Sequence, residues 1–390
     1  MHSHARAIYG DQVNGRVGQT KWSEYYAFPS FDLWAFRSNL SFPGLVALRT
    51  DDLADLLPQF CQHGEVSWER ALSRLLYCLP PHAVTHIAKP LANGPWEVRM
   101  EEPKVANYQG KLPVIDVIVP TRDRADLLRQ CVRSVSNTTR CELRWVILDN
   151  DSVEAETQAY FEELSAAGHR IVRAPGEFNY SALMNVGIQH CHHDFVLCLN
   201  NDIEAVDAGW LEHMLALASE PEVGCVGAKL VYPDGRIQHA GVTVGLGGIA
   251  GHLGRWRGHD DPGYMGELNR LSRKLAVTAA CLLVRREVWL ECGPWDEDEL
   301  AVAFNDVDFC LRVNAAGYTN LYTPHARLIH HESVSRGQDA SFKKSKRLAL
   351  EAKTIRKRWY TDAQSDPTYS VWRTMADESG QLLRQAYDQA

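Results

Sequence analysis

The chain has 390 residues, 45% hydrophobic and 23% charged, a balance that excludes wholesale disorder and fibrous repeats. Forty-one Lys and Arg against 49 Asp and Glu leave a net charge of −8, which is no footprint for bulk nucleic-acid binding. No secretory signal is expected, because the opening Met1–Arg6 has no apolar run behind it. The longest apolar stretch, Ala276–Val284, is about half of what a membrane span requires. Ten cysteines without a Cys-x-x-Cys pair fit reduced thiols in a cytoplasmic protein.

In chain order, residues 1–105 hold irregular aromatic patches at Trp22–Tyr26 and Phe28–Phe36, then a strand-like run at Gly44–Leu48. Helical patterns follow over Asp51–Cys61 and Trp68–Cys78, so this part reads as a small α/β appendage. Val114–Pro120 is β-branched and predicts a buried parallel strand. Leu127, Leu128, Cys131, Val132 and Val135 are spaced for a helix over Asp126–Ser136. Arg144–Leu148, Arg170–Arg173 and Phe195–Leu199 predict further strands, with helices over Glu154–Ala167 and Asn179–Gln189 between them. That alternation predicts a parallel α/β sheet with right-handed crossovers. Beyond it come a helix (Trp210–Ala218), a strand (Val223–Val231), a Gly-rich loop (Gly241–Gly254), a buried strand (Ala276–Arg285) and a helix (Phe304–Ala316). A polar helical tail is expected from beyond Gly337 to Ala390. Its basic stretch Lys343–Arg347 reads as a solvated helix face, and is also where a peripheral membrane contact would sit.

In such sheets ligands bind beyond the carboxyl ends of the strands. Three strands end in polar runs: Pro120-Thr121-Arg122-Asp123, Asp149-Asn150-Asp151-Ser152 and Asn200-Asn201-Asp202. Their convergence on one edge predicts a site. Asp202 can hold a hard divalent cation or cap the next helix. Asp306, at the start of a helix, reads as a general base or as a helix cap. His330 reads as a metal ligand or as a hydrogen-bonded surface histidine. The run His190-Cys191-His192-His193 lacks the second half of a zinc site and reads as a polar helix end. Gly245-Leu246-Gly247-Gly248 lacks a Walker lysine, and no Gly-x-Ser-x-Gly elbow is present.

The ordered set Val117–Arg124, Val146–Ser152, Phe178–Asn185, Leu199–Asp202, Gly293–Glu297, Phe304–Asp308 and His330–Ser333 resembles the inverting glycosyltransferases of family 2. Val226–Leu230 and Gln238–Gly241 resemble the bacterial branch linked to O-antigen and rhamnose-containing polysaccharide biosynthesis. The resemblance implies the GT-A nucleotide-diphospho-sugar transferase fold: α/β, a Rossmann-like and mostly parallel sheet flanked by helices. It would occupy residues 106–337, followed by the helical tail at 338–390. Residues 1–105 resemble the acceptor half of a second such domain through Tyr9–Asp11 and Phe42–Arg49, with an unrelated packing appendage as the other reading.

The roles implied are these. Pro120, Thr121, Arg122 and Asp149 surround the nucleotide base and ribose, with Asn185, Asn200 and Asn201 on the same nucleotide-sugar. Asp202 and His330 hold a divalent metal, Mn2+ or Mg2+. Asp306 is the base that deprotonates the acceptor hydroxyl, and Trp295 and Asp296 line the acceptor side. The family's Asp-x-Asp is here Asn200-Asn201-Asp202, with only its final carboxylate, and the residue before the base is Asn305. The partners implied are a nucleotide-diphospho-sugar donor and a glycan or lipid-linked acceptor, in the cytoplasm or at the inner face of the membrane. A non-catalytic nucleotide-sugar-binding subunit of a polysaccharide assembly complex is the alternative. A nucleotidyltransferase would need a Gly-rich triphosphate loop near Pro120, which the sequence lacks.

Overall fold

The structure is a computed structural model that describes residues 5, 7–14, 24–26, 46–48, 83–93, 108, 110–332, 342–362 and 366–383. The chain divides into two compact units. One comprises residues 1–103, 365–374 and 380–390; the other comprises 104–364 and 375–379.

In the first unit, β1 (Ala7–Asn14) pairs antiparallel with β2 (Glu24–Tyr26) and β3 (Val46–Leu48), and parallel with β4 (Val84–Asn93). Asp11 on β1 is buried, and His86 on β4 meets its carboxylate at 2.8 Å. The strand-like run at Gly44–Leu48 contains β3. The patch Phe28–Phe36 and both expected helices of this segment lie outside the described residues.

The second unit opens with β5 (Val114–Thr121), α1 (Ala125–Thr138), β6 (Glu142–Asp149), α2 (Ala155–Ala166), β7 (Arg170–Arg173), α3 (Tyr180–Ile188) and β8 (Phe195–Leu199). Every apolar position that predicted α1 is buried. Strands β8, β5, β6 and β7 lie side by side and parallel. Gly187 on α3 permits a close approach to β5, since a Cβ there would sit 2.7 Å from Ile118 Cγ2.

The chain continues through β9 (Ile203–Ala205), α4 (Trp210–Ala218), β10 (Val223–Val231), β11 (Ile237–His239), β12 (Val242–Val244), β13 (Ala250–His252) and β14 (Ser272–Lys274). It closes with β15 (Cys281–Arg285), α5 (Arg286–Cys292), α6 (Asn305–Ala315), β16 (Thr319–His330) and α7 (Phe342–Trp359). The main sheet runs β14-β16-β10-β15-β8-β5-β6-β7. Here the parallel rhythm gives way: β15 is antiparallel to both β8 and β10, while β10 and β16 are parallel. Of the expected strand Ala276–Arg285, the continuous part is Cys281–Arg285; Ala276 makes an isolated antiparallel bridge to Val242, and Ala279–Ala280 form a turn. Helix α7 belongs to this unit.

The helical part of the tail ends at Trp359. Residues 366–383 form turns and one bridge, Arg373 to Leu382, with Pro367 and the left-handed Gly380 interrupting any helix. The eight described cysteines are free thiols, while Cys61 and Cys78 lie outside the described residues. No described helix is long and apolar enough to cross a membrane.

Candidate active site

The carboxyl ends of β5, β6 and β8 are stitched together. Asn201 Nδ2 donates to Thr121 Oγ1 at 2.9 Å, and Asn150 N donates to Thr121 O at 2.9 Å. Asp149 is fully buried; its Oδ1 accepts from Ser152 N at 2.8 Å, and Oδ2 lies 3.3 Å from Arg173 Nε. Asp123 N donates to Ser152 Oγ, and its Oδ1 accepts from Val153 N and Glu154 N. Asp123, Arg124 and Asp151 all take left-handed backbone conformations, which turn the chain sharply at these strand ends. Pro120 is the penultimate residue of β5, and Arg122 just beyond the strand is exposed.

At the end of β8, Asp202 and His330 are both buried, with Asp202 Oδ1 3.2 Å from His330 Nε2. Pairing of β9 with β16 sets His330 opposite Ile203 and so fixes this contact. Asn200 Nδ2 lies 3.3 Å from the same ring nitrogen. His330 Nδ1 is buried without a hydrogen-bond partner. Among the described residues no three His, Cys, Asp or Glu side chains group as a metal cage. One carboxylate and one imidazole, whose Nδ1 is buried and unpartnered, are a donor set that would suit a divalent cation.

Asp306 stands in the first turn of α6, whose cap, Phe304, is left-handed. Its carboxylate is half-buried; Oδ2 accepts from Ala279 N at 3.1 Å and Oδ1 from Val307 N at 2.9 Å. Ala280 O in turn accepts from Asn200 N at 3.1 Å. One turn, Ala279–Ala280, thus touches both the carboxylate of Asp306 and the Asn200-Asn201-Asp202 run. His239 and His252 share a short contact, Nδ1 to Nδ1 at 2.8 Å. Burial pushes the His252 imidazole below its usual range, and the nearby Asp306 carboxylate pulls it the other way. His239 is held well below its ordinary value, by burial first and then by the charges of His252, Lys274 and His330.

Trp295, Asn185 and Asp296 sit as follows. The Trp295 ring does not line a surface: it is 1% exposed and packs against Phe309 at 5.0 Å and Trp289 at 5.5 Å, an aromatic cluster that gains most from exclusion of water. The Asn185 amide is spent on protein, with Nδ2 donating to Trp295 O and Glu297 Oε2, and Oδ1 accepting from Trp295 N. Asp296 keeps a polar role, accepting from Asp298 N and Glu299 N and meeting Arg358 at 2.6 Å. Burial works against its charge, but the Glu299 amide and Arg358 hold it below the usual carboxylate range. The His190–His193 run is a polar turn clamped by Asp116, whose Oδ2 accepts the amides of His192 and His193.

Two residues of α7, Glu351 and Arg358, went unread in the sequence. The buried Glu351 accepts from Val302 N at 2.9 Å and Ala303 N at 3.2 Å, shaping the loop that leads into Asp306. Arg358 spans Asp296, Glu299 and the buried Asp308, which also accepts from Trp359 Nε1. Burial opposes the charge on Arg358, and its hydrogen bonds to Asp296 and Asp308 raise it above its ordinary value all the same. Glu351 shares the inward face of α7 with Ile355 one turn on, and that spacing was the available signal.

Residues 116–288 match the sequence profile of glycosyl transferase family 2. The domain belongs to that family. Its mixed sheet, curling from four parallel strands into an antiparallel insertion, is the GT-A arrangement. Over 261 residues the chain is 44% identical to the uncharacterized protein y4gI of Sinorhizobium fredii, covering 66% of this chain and 29% of that protein. Over 267 residues it is 38% identical to the O-antigen biosynthesis protein RfbC of Myxococcus xanthus, covering 66% of this chain and 21% of that protein. The N-acetylglucosaminyl-diphospho-decaprenol L-rhamnosyltransferase of Mycobacterium tuberculosis is 25% identical over 245 residues, 58% of this chain and 78% of that protein. The chain therefore spans less than a third of the first two of these relatives, and the family 2 domain is the part that this chain shares with the matched profile.

Proposed function

We propose that the family 2 domain transfers a sugar from a nucleotide-diphospho-sugar to a hydroxyl of a cell-surface glycan or its lipid-linked precursor, inverting the anomeric carbon. The Ala279–Ala280 turn carries this reading, because it sets Asp306 on one side and the run ending in Asp202 on the other. A single displacement needs those two neighbours: a base for the attacking hydroxyl, and neutralisation of the charge that develops on the leaving diphosphate.

Asp306 is the general base. Two backbone amides hold its carboxylate in place at the start of α6, and its half-exposed oxygens retain lone pairs for a hydroxyl proton. Asp202 and His330 would hold Mn2+ or Mg2+, which supplies Lewis-acid neutralisation of the diphosphate when bound. Thr121, Asp149, Asn200 and Asn201 are held rigidly enough to position a nucleotide, with Pro120 and Arg122 at its rim. Asp296 lies on the acceptor side as part of the Arg358 network. Similarity to an O-antigen biosynthesis protein and to an N-acetylglucosaminyl-diphospho-decaprenol L-rhamnosyltransferase supports a surface-polysaccharide acceptor or its lipid-linked precursor.

The test is turnover of a panel of nucleotide sugars with Mn2+, with Mg2+ and with chelator, the anomeric configuration of the product being read by NMR. Metal-dependent turnover of one donor with inverted product is the expected result. Donor binding without turnover, glycan acceptors being supplied, would instead make the chain a non-catalytic subunit, and retained configuration would remove Asp306 as the sole base.

A further inference from the structure

A second concavity lies beside the strand end that carries His330. Tyr232, Asp234, Arg236, Arg255, Trp256 and Glu332 line a cavity of about 420 Å3. That volume falls in the range of about 300–1,000 Å3 usual for ligand sites. None of these residues has a part in the chemistry above.

Trp256 is the unusual member. It is 49% exposed and sits in the left-handed region at φ 71°, a conformation that disfavours large side chains. Strain of this kind persists where the surroundings over-determine the backbone, and it gathers at ligand-binding positions. The Trp256 ring stacks on Tyr232, with centroids 4.6 Å apart and planes 9° apart. The guanidinium of Arg255 lies 4.8 Å from the ring centroid and that of Arg236 lies 5.0 Å from it. Arg255 Nε and Nη2 both donate to the Tyr232 hydroxyl, at 3.0 and 2.9 Å, so the aromatic pair is fixed in advance of any ligand.

The charges decide what it fits. Arg236 meets Asp234 at 2.6 Å and Arg255 meets Glu332 at 3.7 Å, so two cations face two anions and the lining is neutral. A phosphate or carboxylate ligand gains little from such a lining. An uncharged sugar ring gains twice, from its C–H groups against the part of the Trp256 ring that the stack leaves exposed and from its hydroxyls on the guanidinium and carboxylate edges.

We propose that this cavity is a platform for a neutral sugar residue of the acceptor glycan. The label acceptor rests on the transferase reading; the sugar chemistry does not. The position agrees, because Glu332 follows His330 by two residues and Gln238 Nε2 lies 3.4 Å from Glu332 Oε2. Gln238 is the neighbour of His239, whose partner His252 feels the charge of Asp306.

The test uses the full chain on an array of neutral and acidic bacterial surface oligosaccharides, with binding of UDP-, GDP- and dTDP-sugars measured in parallel. Trp256→Ala removes the ring, and Trp256→Gly removes it while relaxing the left-handed backbone; thermal melting of both reports whether the fold is kept. The wild type should capture neutral oligosaccharides, and both variants should lose that capture at least tenfold with nucleotide-sugar affinity unchanged. Capture that survives in both variants, a preference for acidic glycans, or equal loss of glycan and nucleotide affinity in Trp256→Gly would each overturn the platform. Donor turnover by a wild type that captures no glycan would also overturn it. Trp256-dependent glycan capture by a chain that binds no nucleotide sugar would overturn the transferase reading and leave the platform standing.

Discussion

The two halves of the main sheet hold their polar strand ends over different lengths of chain. Among β5, β6 and β7 the ties are local, Asp123 to Ser152 spanning 29 residues and Asn150 to Ala174 spanning 24, while the tie from β5 to β8, Thr121 to Asn201, spans 80. In the half built on β15, β10 and β16 they reach much further, with Asn200 to His330 spanning 130 residues and Asn185 to Trp295 spanning 110. The local half can form unit by unit as each strand and helix is added. The distant half closes only when β16 and α7 are in place. A nucleotide pocket made by the first and a chemical centre made by the second should therefore separate under mutation, and the substitutions below are chosen to force that separation.

The largest effect is expected from Asp306→Asn. Sugar transfer should fall by about 10³-fold, within the range of about 10²–10⁴ for loss of a general base. Nucleotide affinity by titration calorimetry should stay within twofold. Parallel loss of affinity would mean that the two halves act as one.

Next comes Asp308→Ala, which strips Arg312, Arg358 and Trp359 Nε1 of a buried partner. Breaking such a pair costs about 3–5 kcal/mol when fully buried. Both arginines keep partial access to water, so about 3 kcal/mol is expected in urea unfolding after that discount. Hydrogen exchange should quicken in α6 and α7 before it does in β5 and β6.

Asp202→Ala should lower turnover about 100-fold, or about 2.7 kcal/mol, and raise the Mn2+ concentration needed for half-maximal rate. An unchanged Mn2+ response would take the cation away from this strand end.

The last effect is one of pH, small for each unit. Lys229 on β10 is buried, with Nζ donating to His259 O, Leu268 O and Asn269 Oδ1, and burial lowers its pKa from 10.5 to about 8. Between about pH 8 and 10.5 the unfolded chain holds a proton there that the folded chain has released, so this residue's contribution to stability rises with pH. Against Lys229→Met, the wild type should gain up to about 1.4 kcal/mol per pH unit across that window and show no relative slope below it.

The same contrast explains what could be read beforehand. Val114–Pro120 and the spacing of Leu127, Leu128, Cys131, Val132 and Val135 announce a strand and a helix, because burial imposes its period on neighbouring residues. Asp149 and Asp202 were legible as strand-end carboxylates by that route. Asp306 and His330 came chiefly through family resemblance, for nothing near them in sequence shows which turn or strand they will meet. Glu351 and Arg358 had no such help. Their contacts lie 48 to 62 residues away and leave only a faint helical period behind. Trp295 misled for a related reason: an aromatic beside an acidic residue looks the same in sequence whether its ring faces a sugar or Phe309.

Arg358 also orders events in time. The helix that starts with Asn305 and Asp306 carries Asp308 into the interior, and the cation that spans Asp308, Asp296 and Glu299 is synthesised 50 residues later. A nascent chain halted before Arg358 leaves Asp308 with Arg312 as its described cation and without the Arg358 and Trp359 Nε1 donors. Such a fragment has every motif of the family 2 match, yet it should be cleared by proteases rather than persist as a sugar-consuming by-product. Arrival of Arg358 and completion of the polar contacts of this helix are, in this molecule, one event.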